Sequence, residues 1–279
     1  MSYDTSWPPT REQGAGISPQ RASSSRASQG PGKFPQKWHL YQPGWTRKFK
    51  IGEHQDAPLF AVIPHSGWFG RPRLTLHTGA GRKSDVLAVV KKSSFSLRNR
   101  AGFTIVFPSA EAGEDDDVVE VMAHLSPNAM FQHRSYQFTV RAGTGWERHT
   151  ETFEWRYTHG KNIGILREGR DDGKSRKAMS RLQGGWELVR LGSERFRPGQ
   201  SGWSGGEEIV AVFGEASMSM HKKASFAFLG SGATGKLGER FANMAVITGM
   251  ALWDEEQRQR RQRQANSATL TPGIDSRVM

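Results

Sequence analysis

The sequence predicts an all-β fold with one central helix: a closed antiparallel β-barrel of about 12 strands enclosing a hydrophobic C-terminal α-helix. Two observations lead there. The stretch from Leu237 to Gln264, LGERFANMAVITGMALWDEEQRQRRQRQ, is the one convincing long helix, and between Phe241 and Trp253 it carries no charge. With ~3.6 residues per turn, Phe241, Met244, Val246, Ile247, Met250 and Leu252 point all round the axis, and a helix apolar on every side is buried on every side. This core is roughly 20 Å long, short of the ~20 apolar residues that cross a bilayer. The second observation is that almost everything before it reads as short β-strands, so the strands must surround the helix.

In chain order the strand-like runs are WHLYQ, closed by Pro43-Gly44, then WTRKFKIG, APLFAVIP, RLTLHTG, DVLAVVKKS, FSLRN and FTIVF. After the acidic turn Glu114 to Asp117 come VVEVMAHL, SYQFTVR, TETFEWRYT, GWELVRL, EEIVAVF and KASFAFL. Alternation is clearest in TETFEWRYT, where Phe153 and Trp155 oppose Glu154 and Arg156, as in a strand with one face buried. Turn residues bound the runs and no helical crossover separates them, which argues for antiparallel pairing rather than a parallel sheet. Residues 1–35 are rich in Ser, Gly, Pro, Arg and Gln and are expected to be disordered. The barrel domain is expected over 36–264, with a basic loop insertion near 160–184, a second loop at 196–206, and a disordered tail over 265–279.

The chain has a net charge of +12 and no cysteine, with an isoelectric point near 10.2. An anionic partner is one consequence; basic tails and loops that serve solubility are the competing explanation. Without cysteine there is no disulfide, thiolate zinc site or cysteine nucleophile. The N-terminus lacks the apolar segment of a secretory signal, so the expectation is an intracellular protein, cytoplasmic or peripheral to a membrane, with the Arg-rich tail leaving a nuclear address open.

LTLH at 74–77, the F-x-W-R of Phe153 to Arg156, WELVRL at 186–191, EIVAVF at 208–213 and MAVITGMAL running into arginines resemble a group of fungal tubby C-terminal-like proteins. That superfamily also contains tubby, the LURP-one-related proteins and the phospholipid scramblases. The resemblance spans roughly residues 37–262, and the loop at 160–184 is longer than the pattern expects. It implies a twelve-stranded barrel threaded by a hydrophobic helix, in agreement with the periodicity. Tubby-type members bind phosphoinositides through surface cations, but those cations do not align onto particular positions of this chain.

No catalytic set emerges. Gly230 to Leu237, GSGATGKL, matches a P-loop up to its last position, where Leu237 replaces the Mg²⁺-holding Ser or Thr. It also satisfies G-x-G-x-x-G, yet only a helix and a tail follow. The expected role is a Gly-rich turn that re-aims the chain from barrel wall into barrel lumen; nucleotide or anion binding with Lys236 is the weakest alternative. The nine histidines show no ligand spacing, so no metal or cofactor is expected. His77 and His221 read as surface or hydrogen-bonded. Glu207 and Glu208, adjacent on a strand, face opposite ways and make poor acid/base partners.

The candidate anion- and lipid-contact residues are Lys222, Lys223, Lys236, Arg258, Arg260, Arg261 and Arg263. Against that role, the four arginines can simply hold the emerging helix end in water and complement its dipole. Trp155 and Trp186 are expected in the barrel wall and Trp253 as a plug where the helix leaves. The expected function is non-enzymatic: a barrel that binds an anionic phospholipid surface or a protein partner, with nucleic acid disfavoured because the aromatics fall at core positions. A scramblase-like lipid translocator is the alternative. Ligand identity and oligomeric state are not legible.

Overall fold

A computed structural model describes residues 33–44, 46, 48–66, 71–92, 102–108, 117–125, 134–159, 161–166, 184–191, 203–204, 207–216 and 219–269. Among them are thirteen strands. The first six are β1 Lys37–Tyr41, β2 Phe49–Gly52, β3 Phe60–Pro64, β4 Leu74–His77, β5 Val86–Lys92 and β6 Phe103–Phe107. Then follow β7 Asp117–Leu125, β8 Arg134–Ala142, β9 His149–Thr158, β10 Gly185–Leu191, β11 Trp203–Ser204, β12 Glu207–Glu215 and β13 Lys222–Phe228. A short helix α1 (Gly230–Ala233) and a long one, α2 (Gly238–Thr269), are the last described elements. The expected strand FSLRN, residues 95–99, lies outside the described residues, as do most of the 160–184 and 196–206 loops.

Each strand from β1 to β10 pairs antiparallel with the next. β1 pairs with β13, β13 with β12, and β12 with β10, which closes a ring of twelve. The two-residue β11 hangs on the start of β12, outside that ring. The closing seam runs from Gly185 opposite Gly214 to Arg190 opposite Glu208. Among the described residues, closure leaves that ring of twelve without an unpaired edge.

Register decides what faces inward. Phe138 lies opposite Phe153, Tyr136 opposite Trp155, and Trp155 opposite Leu188. Their side chains share one face and meet the helix. Trp38 stacks on Phe226 at 4.7 Å, and Phe153 packs on Phe241 of α2 at 4.7 Å. β12 is buried along nearly its whole length, EIVAVFG included. Its outward residues Ile209 and Val212 are covered by Ile163 and Leu166 from the 3-10 helix Lys161–Leu166. That explains a continuous apolar run where a one-sided strand would alternate.

The predicted axle is in place. From Phe241 to Trp253 all apolar residues of α2 are buried, Val246 and Ile247 completely. The polar Thr248 is satisfied there: its Oγ1 donates to the Met244 carbonyl at 2.6 Å and accepts from Trp155 Nε1 at 2.8 Å. The turn before α2 depends on Gly238, at φ +80°, where an added Cβ would lie 2.3 Å from the Gly143 carbonyl oxygen. The Gly143 amide in turn donates to the Leu237 carbonyl at 2.9 Å, which fixes the helix start beside the β8–β9 turn.

Two boundaries differ from expectation. The barrel domain begins earlier than residue 36, because Phe34 is buried and stacks on Phe60 at 4.3 Å; a lone large apolar residue in a polar stretch still finds the core. The tail does not start at 265: α2 continues to Thr269. Ala265 to Thr269 contain neither Gly nor Pro, and the first breaker is Pro272.

Two substitutions test this packing by thermal melting. Ile247→Asp, an unpaired charge in a sealed core, removes the cooperative transition, since its cost approaches the ~5–15 kcal/mol that holds a domain together. Gly249→Ala goes the other way. Its Cβ would sit 3.6 Å from Phe226 and Trp155, an ordinary contact, so the helix-propensity gain of up to ~1 kcal/mol raises the melting temperature.

Candidate functional site

α2 enters the barrel at Gly238 and leaves it at Trp253–Asp254. Around the point of departure, the upper rim, lies a cleft of about 750 Å³. Its wall includes Lys222, Lys223, Arg258, Arg260 and Arg261, together with Glu215 and Asp254. Five of the seven cations singled out in the sequence thus meet in one place. Hairpin β12–β13 brings the two lysines to the rim, and the helix brings the three arginines. Among its described lining residues the cleft is positive, five cations against two carboxylates. Lys236 is not part of it: it is exposed near the lower rim, some 25 Å away at ~1.5 Å per helical residue. Arg263 is exposed on the part of α2 that projects past the rim, and it too is outside the cleft wall.

The floor of the cleft is a clasp. Trp253 packs edge-on against Phe49, centroids 4.8 Å apart, as the expected plug. Its indole N–H is buried and finds no acceptor among the described residues. Asp254, almost fully buried, accepts from Arg73 at 3.1 Å and from Arg258 at 2.7 Å. Arg73 also pairs with Glu255 at 2.7 Å. Burial works against the Arg73 charge, but Glu255 and Asp254 outweigh it and raise the pKa above its ordinary value. Arg258 reaches on to the His65 carbonyl at 2.8 Å, and Arg260 donates to Glu215 at 2.7 Å. These bonds stitch the helix to the β3–β4 connection and to the end of β12.

Arg258 and Arg260 therefore do more than keep a helix end wet. Each has a defined structural partner. Arg261 bonds the Gln257 carbonyl at 3.2 Å, and Lys223 bonds the Met220 carbonyl at 3.0 Å. The sequence reading missed Arg73, Glu215 and the acidic triplet 254–256. The signal was present: Asp254/Arg258, Glu255/Gln259 and Glu256/Arg260 are spaced i, i+4, and the first two pairs are bonded.

Trp186 belongs to the wall as expected, and its Nε1 donates to Glu256 at 2.8 Å. Burial is the main reason the Glu256 pKa is raised; nearby Glu215 adds to it, while the Trp186 hydrogen bond and Arg260 oppose it.

At the lower rim the Gly-rich turn does redirect the chain. The amide of Ser231, at the start of α1, donates to Glu208 Oε1 at 2.6 Å. That carboxylate stands where a bound phosphate would have to sit. Glu208 also pairs with Arg190, which binds Glu151 through two nitrogens. Glu207, on the opposite face, pairs with Arg156. Both glutamates are structural ion-pair members. His77 is buried, with Nδ1 2.8 Å from the Ser84 carbonyl, and His221 is exposed.

Compared with family models, curated proteins and solved structures, the chain matches none of them.

The raised Glu256 pKa has a pH consequence. The fold favours the neutral acid, so the stability it adds is complete below the ordinary value of 4.5 and lost as pH rises through the folded value. Glu256→Gln stays neutral and can still accept from Trp186. Its melting temperature exceeds the parent's at about pH 8, and the gap closes toward about pH 4. A gap independent of pH contradicts the assignment.

Proposed function

We propose that the protein is a non-enzymatic binding module whose upper-rim cleft takes the phosphorylated headgroup of an anionic membrane lipid, a phosphoinositide. The observation that supports this is the convergence of Lys222, Lys223, Arg258, Arg260 and Arg261 on one cleft from two distant segments. Phosphate oxygens accept charge-assisted hydrogen bonds from such groups. Each basic residue near an anionic leaflet contributes ~1 kcal/mol, so this set tethers the protein peripherally and reversibly. An acidic segment of a partner protein is the second ligand the same charge would accept. The Arg-rich helix end serves the cleft rather than an import receptor in this reading.

A lipid-translocating role is less well supported. It requires α2 to leave the barrel for the bilayer, but its apolar core is enclosed on all sides. Among the described residues no helix is long and apolar enough to cross a membrane.

Sedimentation with phosphatidylcholine vesicles containing a phosphoinositide tests the proposal. The parent protein pellets at low salt and is released as salt rises. Lys222→Gln, Lys223→Gln and Arg261→Gln together leave Asp254 clasped by Arg73 and Arg258. Losing three cations weakens binding by ~3 kcal/mol, or more than 100-fold. Undiminished pelleting of the triple variant overturns the cleft assignment.

A further inference from the structure

The hairpin between β12 and β13 supplies Ser219, Lys222 and Lys223 to the wall of the basic cleft. Its base is tied to the barrel. The Ala216 amide donates to the Lys223 carbonyl at 3.1 Å, and the Gln42 amide, just past β1, donates to the His221 carbonyl at 2.9 Å. Its tip is tied to itself. The Lys222 amide donates to Ser219 Oγ at 2.9 Å, and Lys223 Nζ donates to the Met220 carbonyl at 3.0 Å. On this braced turn Met220 is 86% exposed.

A lone exposed apolar residue is ordinary on a protein surface. Trp146, 93% exposed in the 3-10 helix Gly145–Glu147 of the β8–β9 turn, is another. Position separates the two. Met220 stands between the cleft-wall residues Ser219 and Lys222, whereas Trp146 lies at the lower rim, the opposite end of the barrel. A lipid whose headgroup occupied the cleft would bring the bilayer surface up to Met220. An unbranched thioether chain adapts well to irregular apolar surroundings, and the neighbouring Lys222 and Lys223 match an anionic leaflet.

We propose that Met220 enters the outer edge of the bilayer hydrocarbon when the cleft holds a phosphoinositide headgroup, so that the upper rim faces the membrane. This rests on the phosphoinositide reading and adds the source of the headgroup: a lipid in a bilayer, not a free inositol phosphate. α2 runs past the same rim. Its last stretch, Ala265 to Thr269, carries no charge, so the helix end meets the headgroup layer without an ion to desolvate.

The chain has no cysteine, so Met220→Cys and, as the control, Trp146→Cys each carry a single fluorophore at an exposed position of the full chain. In vesicles of phosphatidylcholine and phosphatidylinositol bisphosphate, brominated acyl chains quench the label at 220 and spare the label at 146. Unlabelled Met220→Ala binds the same vesicles about tenfold more weakly than the parent, and calorimetric titration shows that both bind inositol trisphosphate equally. Absence of quenching at 220, equal quenching at both positions, or Met220→Ala pelleting like the parent overturns the insertion; the cleft reading then survives where inositol trisphosphate binds. A parent protein that binds neither inositol trisphosphate nor the vesicles overturns the cleft reading, and the insertion with it.

Discussion

The whole architecture follows from burying a helix that has no polar side. Between Phe241 and Trp253 α2 offers nothing to water, and that apolar segment is too short for a membrane core. The remaining solution is a closed wall. The dimensions agree: β9, His149–Thr158, has ten residues, about 33 Å at ~3.3 Å each, and a tilt near 40° brings that to ~25 Å along the barrel axis. The helix from Gly238 to Trp253 covers a similar distance at ~1.5 Å per residue. At its longest strand the wall is as tall as the enclosed stretch of the helix is long.

A threaded helix must pass both rims, and each crossing exposes charge to a partly dry environment. The molecule answers with ion pairs at both ends. Below, Arg190 gathers Glu151 and Glu208, and Glu208 also takes the Ser231 amide. Above, Asp254 gathers Arg73 and Arg258. The two rims differ in what is left over. The lower carboxylates are consumed by structure. Among the described residues that line it, the upper-rim cleft has more cations than carboxylates. That imbalance, rather than the count of basic residues in the chain, gives the functional proposals their place.

The fold was legible because it rests on periodicities. Phe153 and Trp155 against Glu154 and Arg156 reveal a one-sided strand, and the uncharged run 241–253 reveals an enclosed helix. The closing pairing of β10 with β12 was not legible, since nothing local to either strand names its partner. The site was half legible. The cations could be picked out as residue types, but Lys222 and Arg258 meet only because helix length and barrel height coincide. Lys236 looked equivalent to Lys223 in sequence and lies at the other rim. The clasp was missed for a different reason: Arg73, which binds Asp254 and Glu255, and Glu215, which binds Arg260, lie far from the helix end in the chain.

Hydrogen–deuterium exchange resolved along α2 tests the enclosed axle most directly. Amides from Phe241 to Trp253 should be the slowest in the protein, opening only with global unfolding, while those from Arg261 to Thr269, beyond the rim, exchange orders of magnitude faster. Equal, rapid exchange across both segments would mean that the helix does not sit inside the barrel.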